Sequence, residues 1–202
     1  MKKTTEKNNT FPISSIRRVK GSRRFVREKV LQILVSHFVS GSDINELIDN
    51  IFYRDYKIDS DNEVTETAPK EKTNKILTEE ELEELEADAG IDWREEDIKL
   101  AHTIINGALA ENDFVVEKLK EISKHWRYER ISIIDRVLIL MAVSEILHCP
   151  EIPIKVSINE VVDIAKIYST DKSTQFINGI LDTILTFLMN ENKINKTGRG
   201  LK

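Results

Sequence analysis

Apolar residues recur at helical spacing along most of the chain. Beyond residue 22, for example, Val26, Val30, Ile33 and Leu34 would lie on one side of a helix with 3.6 residues per turn. Only seven glycines and four prolines interrupt the chain, and the prolines fall between the periodic segments. The pattern therefore predicts an all-α fold of about seven helices, at 22–40, 44–52, 98–109, 114–122, 133–147, 158–168 and 173–188.

Small polar residues stand where several of these helices begin. Their side chains accept hydrogen bonds from the free N–H groups of a first helical turn, and a glutamate or aspartate three residues later strengthens the signal. The predicted caps are Ser22, Ser42 or Asp43, Ser132 (with Asp135), Ser157 (with Glu160) and Ser173.

The packing of the predicted helices can be inferred from two features. The segment 133–147 is apolar almost all round, which marks a central, buried helix. The strings Ile-Asn-Gly-Ala-Leu (105–109) and Ile-Asn-Gly-Ile-Leu (177–181) each place a glycine inside a helix. Such a glycine costs roughly 1 kcal/mol relative to alanine, which a close helix–helix approach can offset. The two strings therefore suggest two small helical sub-bundles with related packing.

Charge divides the chain into segments of different character. Residues 1–29 hold ten Lys or Arg and two Glu, whereas residues 59–97 hold sixteen Asp or Glu and four Lys or Arg. The basic end suits a polyanion and the acidic segment repels one. We predict a flexible basic arm at 1–21, a single helical domain at 22–190 with a mobile acidic insertion at 59–92, and a flexible basic tail at 191–202.

Signals for catalysis, metal binding or membrane insertion are missing. The single cysteine, Cys149, permits no internal disulfide, and no apolar run is long enough to span a bilayer. No nucleophile motif or phosphate-binding glycine loop occurs, and the four histidines are scattered. The sequence therefore predicts a cytoplasmic protein that is not an enzyme, needs no metal or cofactor, and does not contact a membrane.

A cluster of basic residues around the start of the first helix is the positive functional signal. Cations at a helix N-terminus oppose the helix macrodipole, so stability alone does not favour them there. Clustered arginine suits phosphate geometry, and we favour nucleic acid binding over a solvated basic cap. The candidate RNA-binding residues are Arg17, Arg18, Lys20, Arg23, Arg24 and Arg27.

Several longer strings resemble those of the bacterial NusB family of transcription antitermination factors. The N-terminal half contributes the arginine-rich string Arg-Arg-x-x-Arg-Glu-x-x-x-Gln at 23–32. The C-terminal half contributes WRYERISIID (126–135), IPIKVSINE (152–160), DIAK (163–166) and FINGILD (176–182), and the last three strings follow the family's order and spacing.

The resemblance implies an all-helical fold of two sub-bundles and a specific biological role. Members of the family bind the boxA element of ribosomal RNA leader transcripts together with the ribosomal protein NusE, within an RNA polymerase antitermination complex. By similarity, the arginine helix contacts RNA, and residues around Asp135 and Phe176 lie where the family meets its protein partner or the RNA nearby. A homodimer is compatible with the family.

Three residues depart from the usual family pattern, and two other functions remain open. Leu140 stands where an arginine is usual, Ser144 where a tyrosine is usual, and Lys172 where an acidic or small residue is frequent. The alternatives are an RNA-targeting domain like those of ribosomal RNA cytosine methyltransferases, and a protein-only scaffold.

Overall fold

The computed structural model describes residues 19–53, 91–122 and 128–201, which fall into two units. In the smaller unit, strand β1 (Val19–Lys20) pairs in parallel with strand β2 (Ile91–Asp92), so that Val19 aligns with Ile91. This short pair was not predicted, because two residues are too few to produce a strand pattern. Residues 1–18 of the predicted arm (1–21) and residues 59–90 of the predicted insertion (59–92) lie outside the described residues.

The larger unit is helical and contains six α-helices among its described residues. They are α1 (Arg23–Ser40), α2 (Ile44–Phe52), α3 (Glu95–Ile122), α4 (Ile133–His148), α5 (Ile154–Tyr168) and α6 (Asp171–Asn190). Short 3₁₀ turns lie at Tyr128–Arg130 and Gly198–Leu201. No helix in the described part of the chain is long and apolar enough to cross a membrane.

Three of the predicted helix starts are confirmed by hydrogen bonds. The side chain of Ser22 accepts from the Phe25 N–H at 3.2 Å, and that of Ser132 accepts from the Asp135 N–H at 3.0 Å. For α2 the cap is Asp43, which accepts from the Asn45 N–H at 2.8 Å and from the next N–H at 3.1 Å. Local chemistry was therefore sufficient to place these ends.

Two predicted caps are wrong. Helix α5 begins at Ile154, directly after Pro153, so Ser157 lies inside the helix with its hydroxyl turned into the core. Helix α6 follows Thr170, and Ser173 is again internal and buried. Pro153 precedes the first turn as the N-cap residue, and its carbonyl accepts from the N–H groups of Val156 at 2.9 Å and Ser157 at 3.2 Å, so α5 begins earlier than the capping-box pattern suggested.

The predicted third and fourth helices form one helix of 28 residues, α3. The polar stretch between Leu109 and Phe114 contains no proline or glycine, so nothing in it ends the helix. Helix α3 packs against α1, α4 and α6, and the buried residues form one hydrophobic cluster. The predicted division into two sub-bundles is therefore not evident in the described residues.

Helix α4 lies at the centre of the larger unit, as its apolar sequence predicted. Every residue from 137 to 146 is buried, and α4 packs against α1, α3, α5 and α6. Ser144 and Glu145 are the two polar residues in this buried stretch. Because buried polar groups need partners, these two side chains determine how the neighbouring helices meet α4.

Candidate nucleic-acid interface

The first turn of α1 presents two arginines to solvent. The side chains of Arg23 and Arg24 are 51% and 46% exposed, and no acidic residue lies in this turn. Their acidic neighbours bind them weakly: Arg23 lies 3.8 Å from Glu96, and Arg24 Nε donates to Glu28 at 3.3 Å. Both guanidinium groups are therefore available to an anionic ligand.

The basic cluster contains three further predicted RNA-binding residues, Lys20, Arg17 and Arg18. Lys20 is exposed and belongs to the smaller unit. Arg17 and Arg18 lie outside the described residues, so their role in RNA binding stays a prediction.

Arg27 is not an exposed RNA contact, which corrects the sequence-based assignment. Its side chain is 3% exposed and forms a bidentate pair with Glu145, from Nε at 2.7 Å and from Nη2 at 2.8 Å. The third nitrogen donates to the Arg23 carbonyl at 3.1 Å. One helical turn from Arg23, the chain thus turns an arginine inward to hold α1 on α4.

The buried pair is part of a network that reaches α5. The Ser157 hydroxyl donates to Glu145 at 2.7 Å, and Glu160 lies 3.6 Å from Arg27. Burial lowers the pKa of Arg27, but the hydrogen bonds and charge of Glu145 outweigh it and raise the pKa above its ordinary value. Arg27 therefore stays charged and orients the start of α1, where the exposed arginines lie.

Asp135, predicted to contact a partner protein, is also buried. It is 7% exposed, and its carboxylate accepts from the hydroxyls of Ser169 at 2.6 Å and Ser173 at 3.0 Å. These bonds tie the start of α4 to the connection between α5 and α6. Asp135 therefore shapes this end of the unit from inside and offers little surface to a partner.

Phe176, the second predicted partner residue, lies one turn beyond Ser173 on α6. It is half-buried and packs against the core, while Lys172 before it is exposed. The structure therefore brings Asp135 and Phe176 to the same end of the unit, with only the phenylalanine partly accessible.

The two departures within α4 have internal roles. Leu140 is 3% exposed and belongs to the core. Ser144 is fully buried and donates to the Ile104 carbonyl of α3 at 2.8 Å. Its small side chain lets α3 approach closely, because a Cβ built on Gly107 would clash with Ser144 Oγ and the His148 ring.

A second surface feature, a groove between α1, α4 and α5, had no clear signal in the sequence. The groove has a volume of about 390 Å³ and is lined mainly by apolar atoms, including those of Val35, Val39, Ile134 and Tyr168. Val39 is 68% exposed and Tyr168 37% exposed. Ile134 adjoins Asp135 in sequence, so the groove borders the end of the unit to which Asp135 and Phe176 belong.

The C-terminal segment differs from the flexible tail that its composition predicted. Lys196 Nζ donates to the carbonyls of Cys149 at 2.9 Å and Glu145 at 3.4 Å, which satisfies the end of α4. The Thr197 N–H donates to the Pro150 carbonyl at 2.9 Å. Residues 191–201 are thus held against the end of α4 and the loop that follows it.

Cys149 should be inert in the folded protein. The thiol is 2% exposed, and burial together with the charges of Glu145 and Glu151 raises its pKa to about 12. At pH 8 roughly one thiol in ten thousand would be ionised, and the thiolate is the nucleophile. We expect iodoacetamide to label the native protein only as fast as it unfolds, and to label it rapidly in guanidinium chloride. Labelling of the native protein at the rate of a free thiol, measured by mass spectrometry, would contradict the burial of Cys149.

Comparison with known proteins identifies the family. The NusB family profile matches residues 60–186. The chain is 45% identical over 93 residues to the transcription antitermination protein NusB of Salinibacter ruber, covering 46% of this chain and 56% of that protein. It is 42% identical over 94 residues to the protein of the same name from Chloroherpeton thalassium, covering 43% and 44%. The chain thus spans about half the length of the curated relatives it matches.

A solved structure of T. maritima NusB supports the same assignment. It is 25% identical to this chain, superposes with a TM-score of 0.56, and covers 82% of this chain and 92% of its own. The family match extends over more than half of the sequence and includes α3, α4 and α5. On this evidence the chain belongs to the NusB family.

Proposed function

We propose that this protein is a transcription antitermination factor that binds boxA-type RNA of ribosomal RNA leader transcripts. The observation that carries the proposal is the first turn of α1, where Arg23 and Arg24 are exposed although their charge opposes the helix dipole. Family membership and the names of the matched relatives support the antitermination part of this role. No catalytic step is needed for it.

We further propose that a NusE-like ribosomal protein binds the groove between α1, α4 and α5. Exposed apolar side chains such as Val39 and Tyr168 stabilise a complex when a partner covers them. The groove also adjoins Asp135, a residue that the family resemblance associates with partner binding. RNA affinity would come from α1, and specificity would be completed by the partner.

The groove assignment can be tested with a single substitution. Val39→Asp places a charge in the groove without touching the buried core, so we expect it to weaken NusE binding at least tenfold in calorimetry while RNA binding by the protein alone is retained. Met189→Asp, at an exposed apolar position on α6 outside the groove, is the control. A homodimer on the same face would instead appear as a mass change in light scattering, and unchanged NusE affinity would exclude this face.

The central experiment compares boxA RNA with a scrambled RNA of the same composition, with and without the NusE-like partner. We expect the partner to increase the preference for boxA, since charge alone is insensitive to sequence. Equal affinity for both RNAs in the presence of the partner would exclude the adaptor role. A protein-only scaffold would bind neither RNA at moderate salt.

The salt dependence of RNA binding identifies the arginines involved. Each phosphate contact to single-stranded RNA contributes a slope of about −0.7 in log K against log salt. We expect Arg23→Ala and Arg24→Ala together to flatten the slope by up to about 1.4. Arg130→Ala, which removes an exposed arginine from the 3₁₀ turn at Tyr128–Arg130, is the matched control and should leave the slope unchanged. An unaltered slope in the double variant would remove α1 from the RNA site.

A further inference from the structure

A cavity of about 450 Å³ lies beside the first turn of α1, between that turn, the start of α5 and the C-terminal segment. This volume falls within the roughly 300–1,000 Å³ of typical ligand sites. Its walls combine apolar and charged groups. The apolar part is formed by Ile152, Pro153 and Val156, and the charged part includes Arg23, Arg199, Glu151 and Glu160.

Arg199 is placed at this cavity by the docked C-terminal segment. The Thr197 N–H is bonded to the Pro150 carbonyl at 2.9 Å, and Gly200 is buried against the same carbonyl. A Cβ built on Gly200 would clash with that carbonyl, so only glycine allows the segment to lie this close. Arg199 itself is exposed and lines the cavity together with Arg23.

The wall of this cavity also contains Glu160, whose carboxylate can accept further hydrogen bonds. Its Oε2 is buried and has no hydrogen-bond partner among the described residues. The nearest cation, Arg27, lies 3.6 Å away and directs its short bonds to Glu145. The glutamate side chain is 30% exposed although Oε2 itself is enclosed, so a ligand in the cavity meets the exposed part of the side chain, and the carboxylate must rotate to present both oxygens.

The charges at the cavity favour a nucleobase over a bare phosphate. Arg27 is compensated by Glu145, and the remaining arginines, Arg23 and Arg199, are balanced by the two glutamates of the wall. A cavity without net charge holds a bare phosphate weakly, while the guanidinium of Arg23, half-exposed at this cavity, can still contact the RNA backbone. A flat ligand that carries both donors and acceptors, and that covers the apolar wall with its face, fits this combination of groups.

We infer that the cavity binds an unpaired guanine of RNA. Guanine presents two adjacent donors, N1–H and N2–H, which a carboxylate such as that of Glu160 accepts. It also presents the acceptors O6 and N7, which an arginine bonds in bidentate fashion. Adenine has an acceptor at N1 and would oppose the carboxylate, and uracil offers a single donor. This inference rests on the proposed RNA-binding function and names the base that the site selects.

The test uses the full chain and short oligouridylates that carry one central guanosine, inosine or adenosine. Fluorescence anisotropy gives their affinities at one salt concentration. We expect the guanosine RNA to bind about tenfold more tightly than the adenosine RNA, within the range of a bidentate base contact. Inosine, which lacks the N2 amino group, should lie between them. Equal affinities for all three would overturn the inference.

Three variants locate the selectivity. Arg199→Ala and Gly200→Ala should both reduce the guanosine preference by about fivefold or more, because one removes the guanidinium and the other displaces it. Glu160→Gln should lower the ratio of guanosine to inosine affinity. Arg130→Ala, the matched loss of an exposed charge, should change no ratio.

The outcomes separate this inference from the proposed function. If no RNA binds the native protein, the proposed function fails and the base site fails with it. If RNA binds in dependence on Arg23 and Arg24 but shows no preference for guanosine, the proposed function stands and the cavity is not a base site. A loss of thermal stability in Gly200→Ala without loss of preference would mean that the docked segment is structural only.

Discussion

Replacing Arg27 with alanine should lower the free energy of unfolding by about 3–5 kcal/mol, the usual cost of leaving a buried charge without its partner. Arg27 and Glu145 are each 3% exposed, and their two hydrogen bonds are 2.7 and 2.8 Å long. After the substitution Glu145 would keep only the Ser157 hydroxyl in this network. Since domains are stable by only about 5–15 kcal/mol, the loss would be a large part of the total.

Guanidinium chloride unfolding followed by circular dichroism measures this effect, and Arg24→Ala is its control. Arg24 is 46% exposed and contacts only Glu28 among the ion pairs of the described residues, so its loss should cost no more than about 1 kcal/mol. The double variant Arg27→Met, Glu145→Leu removes both charges and should recover much of the stability lost in Arg27→Ala. Unfolding of Arg27→Ala within about 1 kcal/mol of the native protein would contradict the buried pair and restore Arg27 as a candidate for RNA.

The two variants should also differ in RNA binding. Arg24→Ala is expected to weaken binding while the fold is kept, because it removes a charge that is available to phosphate. Arg27→Ala should act through the loss of folded protein and the displacement of α1. Affinities compared at equal concentrations of folded protein separate these two causes.

The assignment of Arg27 illustrates what the sequence could and could not predict. Charge clustering groups Arg27 with its exposed neighbours, since nothing local distinguishes them. Its partner Glu145 lies 118 residues further along the chain, so the pairing depends on tertiary packing. A usable signal was nevertheless present: Glu145 is the single charged residue in the stretch 137–146, and a buried carboxylate requires a cation or donors.

Local chemistry predicted helix starts better than helix interruptions. Ser22, Asp43 and Ser132 cap helices because the capping bond depends on neighbouring residues alone. The break expected near residues 110–113 is absent, because polar residues within a helix are compatible with an exposed face and end it only if a breaker is present. The docked C-terminal segment and the groove between α1, α4 and α5 could not be predicted, since both arise from contacts between distant parts of the chain.

The two glycines in similar strings should respond to alanine in opposite ways. Gly107 lies where α3 meets α4, and an added methyl group would clash with Ser144 Oγ and the His148 ring. We expect Gly107→Ala to lower the free energy of unfolding by about 1–3 kcal/mol, the typical cost of overpacking. Gly179 has no neighbouring atom within 4 Å of an added Cβ, so the sequence-based expectation of close packing is wrong at this position.

Gly179→Ala should therefore raise the free energy of unfolding by up to about 1 kcal/mol, the difference in helix propensity between the two residues. Helix propensity favours alanine at both sites, so the two substitutions share this contribution. A change in the free energy of unfolding that differs in sign between them therefore reports the steric effect at the crossing of α3 and α4. If Gly107→Ala destabilises the protein by forcing α3 and α4 apart, it should also disturb the hydrogen bond from the Ser144 hydroxyl to the Ile104 carbonyl. The disturbance would be seen as faster amide hydrogen exchange in α3 near Ile104. If both substitutions stabilised the protein, an added methyl group at Gly107 would not clash with Ser144 and His148. Helices α3 and α4 would then lie further apart than described, and Gly107 would be no more constrained than Gly179.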